Sequence, residues 1–522
     1  MLLVLSNPMH YLRVRFTVPN AFSREFSRLL SQQRDILAML WQRGCQQRVR
    51  VWGYDFEWTS RHQTGEEMRP LIYSYDNLAT ECLDRLDRFS SKQQRPTKGP
   101  ADGHSKSPDS ARRCLYEILQ DHVADDDILK QLWTRVTTVP EWVDWEQIER
   151  GQQVFYRYAG PIVVALTFQS LLGGMGGRRV VETLTRTGGF GVQVSRRRLL
   201  ETFQYILQVV RNVDSVKPGG DGFASSIRVR LLHASVRQRI LQLARQKPEY
   251  YDISQYGIPI NDLDSIGTIT TFSSTVIWVG LPRQGIYMRP QEIADYIALW
   301  RWIAHLVGTP TDPFATPARA KTVMESLLAS EIDPSPTSRT LANNIIAGLE
   351  HRPPTYPSAD FLRAEAHWLN GRDLADALAV PRPGLFHLAL VVGQCLFFAC
   401  LCYLHRYVLP RSWEAARLVR VRSLLHRLVA EQTGSETASH EFQYIPNLDT
   451  PSTPPHEDKK GEGAANRGEV SGSSFRSWTA PWSVQRRNLG ALVFAVVVLG
   501  IFACLGMNIV YHFPSLLGWV AG

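Results

Sequence analysis

Between residues 114 and 380, apolar and polar positions follow the spacing of amphipathic helices, interrupted by glycine and proline. Apolar residues recur three and four positions apart, which places them on one face of a helix. The pattern predicts an all-α domain over this range. Helices are expected at 115–137, 147–172, 178–187, 195–213, 224–246, 290–307, 318–351 and 358–379.

Two stretches in the C-terminal third are apolar over about the length that a bilayer crossing needs. Neither "GLFHLALVVGQCLFFACLCYL" (384–404) nor "LGALVFAVVVLGIFACLGMNIVY" (489–511) contains a charged residue. The second is predicted to be a transmembrane helix. The first contains His387 and Gln394, so it is predicted either to span or to form a buried or interfacial helix. A third stretch, 160–174, is too short and too polar to span and is predicted to be core.

The remaining segments predict how the domain is attached. Residues 1–90 form a separate N-terminal region, and 91–113 is a Ser/Pro/Lys-rich flexible linker. Residues 405–488 form a tether that is first basic and then, from 432 to 485, rich in Gly, Ser, Thr, Pro and charge, which predicts disorder in that second part. Arginines flank this tether beside both apolar segments, so the positive-inside rule places it in the cytosol. The protein is then single-pass and tail-anchored, or multi-pass.

Composition and motifs narrow the classes of function. The net charge of +9 comes mainly from arginines spread along the predicted helices, so no nucleic-acid partner is expected. The seven cysteines form neither a paired framework nor a metal-binding spacing. No zincin, dinucleotide-binding, P-loop, nucleophile-elbow or c-type haem motif is present. The first residues lack the basic and apolar regions of a cleaved signal peptide, so none is expected.

One predicted helix contains a histidine on an apolar stripe, His233 in "IRVRLLHASVRQRI" (227–240). Arg230 and Arg237 flank it at three and four positions. A buried haem needs a neutral imidazole, an apolar wall and cations for its propionates, and this helix offers all three. A histidine on such a stripe is more often a packed core residue. The residues alone therefore leave both interpretations open.

The preceding helix, "SRRRLLETFQYILQVVRNV", carries a second group of polar residues. Ser195 is the predicted N-cap. Arg198 and Thr202 are four positions apart and share a face, with Glu201 beside them. The alternative is a solvated face on which Glu201 pairs with Arg197 or Arg198, stabilising the helix by about 0.3–0.5 kcal/mol per pair.

Three consecutive patches resemble the catalytic domain shared by rubber oxygenase (latex-clearing protein) and the endoplasmic-reticulum-bound oxygenase of mycophenolic acid biosynthesis. They are "RRRLLET" (196–202), "RVRLLHASVRQR" (228–239) and "YGIPINDLDSIGTITTFS" (256–273), followed by "ADYIALWRWIAHLVG" (294–308). Their common order and spacing make the resemblance specific. It covers roughly residues 145–310.

The resemblance implies an all-α, globin-like core that holds one haem b, with His233 as the proximal ligand of the iron. Arg198, Glu201 and Thr202 match the distal Arg, Lys and Thr of the rubber oxygenases, so the family lysine is replaced here by Glu201. Thr268 matches the third patch and is assigned to cofactor binding. Arg230 and Arg237 are assigned to the cofactor from their position beside His233.

Members of this family cleave a carbon–carbon double bond of polyisoprene or of a prenyl side chain. The resemblance therefore implies a membrane-bound, haem-dependent oxygenase of the endoplasmic reticulum, with a lipidic substrate and O2 as partners. Two other classes remain open. One is a haem sensor or carrier without turnover, which the missing lysine favours, and the other is a membrane-anchored helical scaffold.

Overall fold

The computed structural model describes residues 47–93, 114–187, 191–407 and 410–433. The predicted transmembrane segment 489–511, most of the linker and most of the tether lie outside the described residues. The chain separates into two units, Met1–Val49 with Glu57–Ser60, and Arg50–Phe56 with Arg61–Gly522. Strands β1 (Gln47–Val51) and β2 (Tyr54–Trp58) form a two-stranded sheet. All helices described below belong to the second unit.

The rest of the described chain is helical. Its α-helices are α1 (Gly65–Met68), α2 (Asn77–Gln93), α3 (Leu115–His122), α4 (Asp127–Thr137), α5 (Trp145–Arg157), α6 (Ala159–Val164), α7 (Arg178–Arg186), α8 (Val192–Val209), α9 (Val213–Val216), α10 (Asp221–Gln246), α11 (Ile253–Tyr256), α12 (Asp262–Phe272), α13 (Pro290–Leu306), α14 (Pro317–Ser330), α15 (Pro336–Leu349), α16 (Ala359–Ala377), α17 (Leu385–Tyr407) and α18 (Arg411–Thr433). Two π-helical segments, Ala165–Leu172 and Val276–Gly280, and four short 3-10 turns, Arg69–Ile72, Pro248–Tyr250, Pro282–Gln284 and Asp312–Phe314, complete them.

The predicted all-α class is confirmed for the described residues. The stretch 318–351, predicted without a break, is two helices, because Asp333 precedes Pro334 and the next helix starts behind its own cap. Ser335 caps α15 and Pro336 takes its first position, where a missing N–H costs nothing. The short β-hairpin was not predicted from the sequence.

The core is built around α13, which lies along α5. Trp300 and Trp302 of α13 are completely buried. Gly151 of α5 allows the close approach, since a Cβ atom at this position would lie 2.3 Å from the carbonyl oxygen of Asp295. The stretch 160–174 is part of the same interior, as predicted, and runs from α6 into the first π-helical segment.

Helix α17 corresponds to the first apolar stretch of the C-terminal third. Within the described residues it is the one helix long and apolar enough to cross a membrane, and 17% of its most apolar stretch is buried. It contacts the domain through Gln394, which donates to the Glu365 carboxylate, and through the Tyr403 hydroxyl, which donates to the Gly285 carbonyl at 3.2 Å. Whether it spans a bilayer stays a prediction.

Candidate functional site

A cavity of about 1270 Å³ lies inside the helical domain. Its walls come from the first π-helical segment and from α7, α8, α10, α12, α14 and α18, and they are mainly apolar. Leu166, Val229, Ile269 and Phe272 are among the lining side chains. The volume is well above what a few buried waters occupy, so the cavity has room for a large apolar ligand.

His233 lies on the wall of this cavity, beside Val229 and Val236 of the same helix. Its ring is partly accessible from the cavity and makes no hydrogen bond to any residue that the structure describes. Burial and the neighbouring Arg237 guanidinium lower the pKa of His233 to about 4, against the opposing effect of Asp76. The imidazole is therefore neutral at pH 7, and a ring nitrogen is available to bind a metal.

Arg230 and Arg237, which the sequence places beside His233, do not line the cavity. The Arg230 Nε and Nη2 atoms donate to the Asp76 carboxylate at 2.6 and 2.9 Å. Arg237 donates from Nε to the Pro259 carbonyl at 3.2 Å and from Nη2 to the Ile260 carbonyl at 2.8 Å. Both side chains therefore tie α10 to neighbouring segments of the chain, and they contribute no cation to the cavity wall.

The three site residues predicted on α8 line the cavity. The carboxylate of Glu201 lies 3.4 Å from Arg197, the pairing that the alternative interpretation expected. The Arg198 guanidinium donates to the carbonyl of Thr187 and, at 3.3 Å, to its hydroxyl. Thr202 lies on the same wall. The structure thus brings Arg198, Glu201 and Thr202 to the same cavity as His233.

Ser195 is not the N-cap that the sequence predicted. Helix α8 begins at Val192, with Gly191 as its N-cap, so Ser195 lies in the first turn. Its side chain is completely buried, and its hydroxyl donates to the Gly191 carbonyl at 3.0 Å. A serine hydroxyl can bond the carbonyl four residues earlier within a helix, and this local alternative competes with capping.

The third patch supplies another part of the wall. Asn261 is the N-cap of α12, since its Oδ1 accepts from the Asp264 amide at 2.9 Å. Asp264 and Thr268 line the cavity, and the Thr268 hydroxyl donates to the Asp264 carbonyl at 2.8 Å. Thr268 is thus on the predicted wall, with its hydroxyl engaged inside its own helix.

A buried ion group on the cavity wall was missed by the sequence interpretation. Arg179 Nη2 lies 3.1 Å from Asp264 Oδ1, and Arg179 Nη1 lies 2.5 Å from Glu331 Oε2. Burial raises the pKa of Asp264 to about 6, and Arg179 opposes that shift. These three residues come from α7, α12 and the end of α14, so no local sequence signal indicates that they meet.

His305 of α13 is the other histidine near the predicted haem motif, and it does not line the cavity. Its ring stacks on Trp302 with centroids 5.3 Å apart. Its Nε2 lies 3.2 Å from the Arg135 carbonyl oxygen. His305 is a packed core histidine with a hydrogen-bond partner, and it is not placed to bind a ligand in the cavity.

Comparison with known proteins confirms the resemblance seen in the sequence. Residues 156–398 match the family described as "ER-bound oxygenase mpaB/B'/Rubber oxygenase, catalytic domain". The match begins at residue 156, inside the 145–310 range predicted from the motifs, and extends beyond residue 310 to include part of α17. A curated relative, the rubber oxygenase of Streptomyces sp. (strain K30), is 23% identical over 212 residues, which are 38% of this chain. The match spans 49% of that relative, about half of its length.

A solved structure of latex clearing protein LCP in the closed state is also similar. It is 17% identical in sequence, with a TM-score of 0.46. The similarity covers 69% of this chain and 90% of that one.

Proposed function

From the match of residues 156–398 to this oxygenase family, we propose that the helical domain is a haem-dependent oxygenase. It cleaves a carbon–carbon double bond of an isoprenoid or prenylated molecule with O2. One observation carries the proposal: His233 presents a neutral imidazole, without a hydrogen-bond partner in the described chain, to an apolar cavity of about 1270 Å³.

The residues on the cavity wall fit a haem. His233 would bind the iron through a ring nitrogen, and the apolar side chains around it would cover the macrocycle. The cations that line the cavity come from α7 and α8 instead of α10, namely Arg179, Arg197 and Arg198. Haem supplies the chemistry of O2 activation when it is bound.

The chain itself supplies orientation, a dry environment and proton handling. Arg198 and Thr202 place hydrogen-bond donors on the wall that His233 shares, so they are suited to position O2 in the cavity. Glu201 places a carboxylate there in the position of the family lysine, and a carboxylate can hold or transfer a proton. We therefore assign Glu201 to proton transfer and Arg198 and Thr202 to positioning.

The apolar wall favours a lipidic substrate. Burial of each methylene of an alkyl or prenyl chain contributes about 0.8 kcal/mol, so a long chain is held without a specific polar anchor. Tight recognition of a polar head group is then unnecessary. The substrates to test are accordingly short polyisoprenes and farnesylated phenols.

A second candidate is a haem sensor or carrier without turnover. The observation that favours it is Glu201, which replaces the lysine and already pairs with Arg197 at 3.4 Å. A sensor would bind O2 stably when reduced and would consume no substrate.

The test incubates the haem-loaded full chain with those substrates under 18O2 and analyses carbonyl products by mass spectrometry. We expect 18O in both new carbonyl groups and no product from His233→Ala. If the reduced protein binds O2 stably and consumes none of these substrates, the oxygenase proposal is wrong and the haem sensor or carrier is favoured. A full chain that takes up no haem would leave only the scaffold alternative.

We also propose that the protein is attached to the endoplasmic reticulum membrane with its 405–488 tether in the cytosol. Helix α17 supports attachment by its length and apolar composition. Protease digestion of sealed microsomes should remove an epitope placed in the tether without detergent. An epitope that survives until detergent is added contradicts this orientation.

A further inference from the structure

Helix α18 is apolar on two faces, although only one of them is covered. On the inner face Leu425, Leu428 and Val429 line the large cavity. On the outer face three large apolar side chains are exposed, by 61%, 59% and 53%; they are Trp413, Val419 and Leu424. An outer face of a soluble domain normally carries polar residues, so this one indicates a contact with an apolar phase.

Four arginines of α18 whose side chains the structure describes divide between the same two faces. Arg417 donates to the Arg157 carbonyl at 3.0 Å, and the Arg422 guanidinium lies 5.1 Å from the centre of the Tyr156 ring. Arg420 and Arg427 are exposed and form no ion pair with any residue in the described ranges. These two cations therefore lie among the exposed apolar side chains, with their charge available to an external anion.

The acidic residues of α18 leave this positive charge uncompensated over most of the outer face. Glu414 is bound at 2.5 Å to Arg157. Glu431 is exposed, at the far end of the helix. Tryptophan, aliphatic and arginine side chains on one helix face are typical of helices that lie in the interface of an anionic bilayer.

We propose that α18 lies on the surface of a bilayer that contains anionic phospholipids, with Trp413, Val419 and Leu424 in the interface and Arg420 and Arg427 at the phosphate groups. The inference rests on the proposed membrane attachment through α17. It adds the outer face of α18 as a second contact with the bilayer and anionic phospholipids as the lipids that this face binds. Helix α17 precedes α18 almost directly in the chain and also exposes large apolar side chains, Leu385 by 85% and Leu396 by 53%.

The position of α18 has a consequence for substrate supply. Its inner face is cavity wall, so a single helix separates the candidate site from the lipid phase. An apolar substrate would pass from the bilayer around or beneath α18 without crossing water. The class of substrate is therefore a molecule dissolved in the membrane.

The experiment uses the full chain reconstituted in lipid nanodiscs, either of phosphatidylcholine alone or of phosphatidylcholine with three parts in ten of phosphatidylserine. Brominated lipids quench tryptophans that enter the bilayer, and subtraction of the spectrum of Trp413→Phe isolates the Trp413 signal. We expect at least twofold stronger quenching of Trp413 in the discs that contain phosphatidylserine.

Arg420→Gln/Arg427→Gln should abolish the difference between the two lipids. The matched control is Arg88→Gln/Arg245→Gln, which removes two exposed arginines from α2 and α10 and should leave the difference intact. Equal quenching in both lipids, or none, overturns the proposal. If each disc holds two copies of the chain and Trp413 is not quenched, the outer face of α18 contacts a second chain instead of lipid. A full chain that fails to enter discs contradicts membrane attachment itself, which gel filtration detects separately.

Discussion

Helices α10 and α13 each carry one histidine within an apolar sequence, yet the two histidines have different surroundings. His233 of α10 faces the cavity and makes no hydrogen bond to the described residues. His305 of α13 stacks on Trp302 and bonds the Arg135 carbonyl. Burial lowers the pKa of both imidazoles, so both are neutral at pH 7. The pKa alone does not distinguish a candidate ligand from a packed residue, whereas the hydrogen-bond partner and the cavity do.

The largest expected difference between the two helices is in haem binding. His233→Ala should lose the Soret band and bind no stoichiometric haem, because it removes the only nitrogen ligand that α10 presents to the cavity. His305→Ala should keep the haem and lose about 1–2 kcal/mol of stability, since it removes a hydrogen bond and a ring contact. Absorption spectra and denaturant unfolding measure both. An unchanged Soret band in a folded His233→Ala variant would show that another residue binds the haem iron.

The second difference is between the two sides of α10: the side of Arg230 is expected to affect stability, and the side of His233 to affect haem binding. Asp76→Asn should lower the free energy of unfolding by about 3–5 kcal/mol, because the buried Arg230 guanidinium loses its carboxylate. The haem content of the folded fraction should not change, since Arg230 is not on the cavity wall. The control is Asp221→Asn, where the carboxylate pairs with Arg211 at 3.1 Å in an exposed position, and there the cost should stay below about 1 kcal/mol. Loss of haem from folded Asp76→Asn would show that Arg230 contributes to cofactor binding, as the sequence predicted.

The pH dependence of stability should also identify His233. Its folded pKa of about 4 is below the unfolded value of 6.5, so between these values the unfolded chain binds a proton that the folded chain does not. The haem-free protein should lose stability as the pH falls from 6.5 towards 4. His233→Leu should lose less over the same range. Denaturant unfolding at pH 7, 6 and 5 gives the free energy of unfolding of both proteins. If that free energy falls equally with pH in the unmodified protein and in His233→Leu, the imidazole is hydrated in the folded state.

The smallest effect on stability is expected for Glu201. Glu201→Gln and Arg197→Gln each remove the same partly exposed pair and should change the free energy of unfolding by less than about 0.5 kcal/mol. They should differ in turnover, because only Glu201→Gln removes the carboxylate from the cavity. Equal turnover in Glu201→Gln and the unmodified protein would restrict Glu201 to its pair with Arg197.

The sequence alone determined the helical class and the stripe on which His233 lies, because both depend on spacings of three and four residues within one helix. The family resemblance came from three short patches whose order is itself sequence information, and comparison confirmed it. The shared wall of α8 residues was also predictable, since Arg198 and Thr202 are one turn apart.

Only the tertiary structure decided what each of these side chains meets. Arg230 pairs with Asp76, which lies more than 150 residues earlier and just before α2. Arg179 of α7 meets Asp264 of α12 and Glu331, which follows α14. The spacing of three residues places Arg230 and His233 next to each other on α10. The buried Arg230 guanidinium nevertheless points to Asp76, because a buried charge is stable only where an opposite charge neutralises it. An uncharged imidazole needs no such partner and stays on the cavity wall. Long-range packing therefore keeps the guanidinium groups of Arg230 and Arg237 off the cavity wall on which His233 lies.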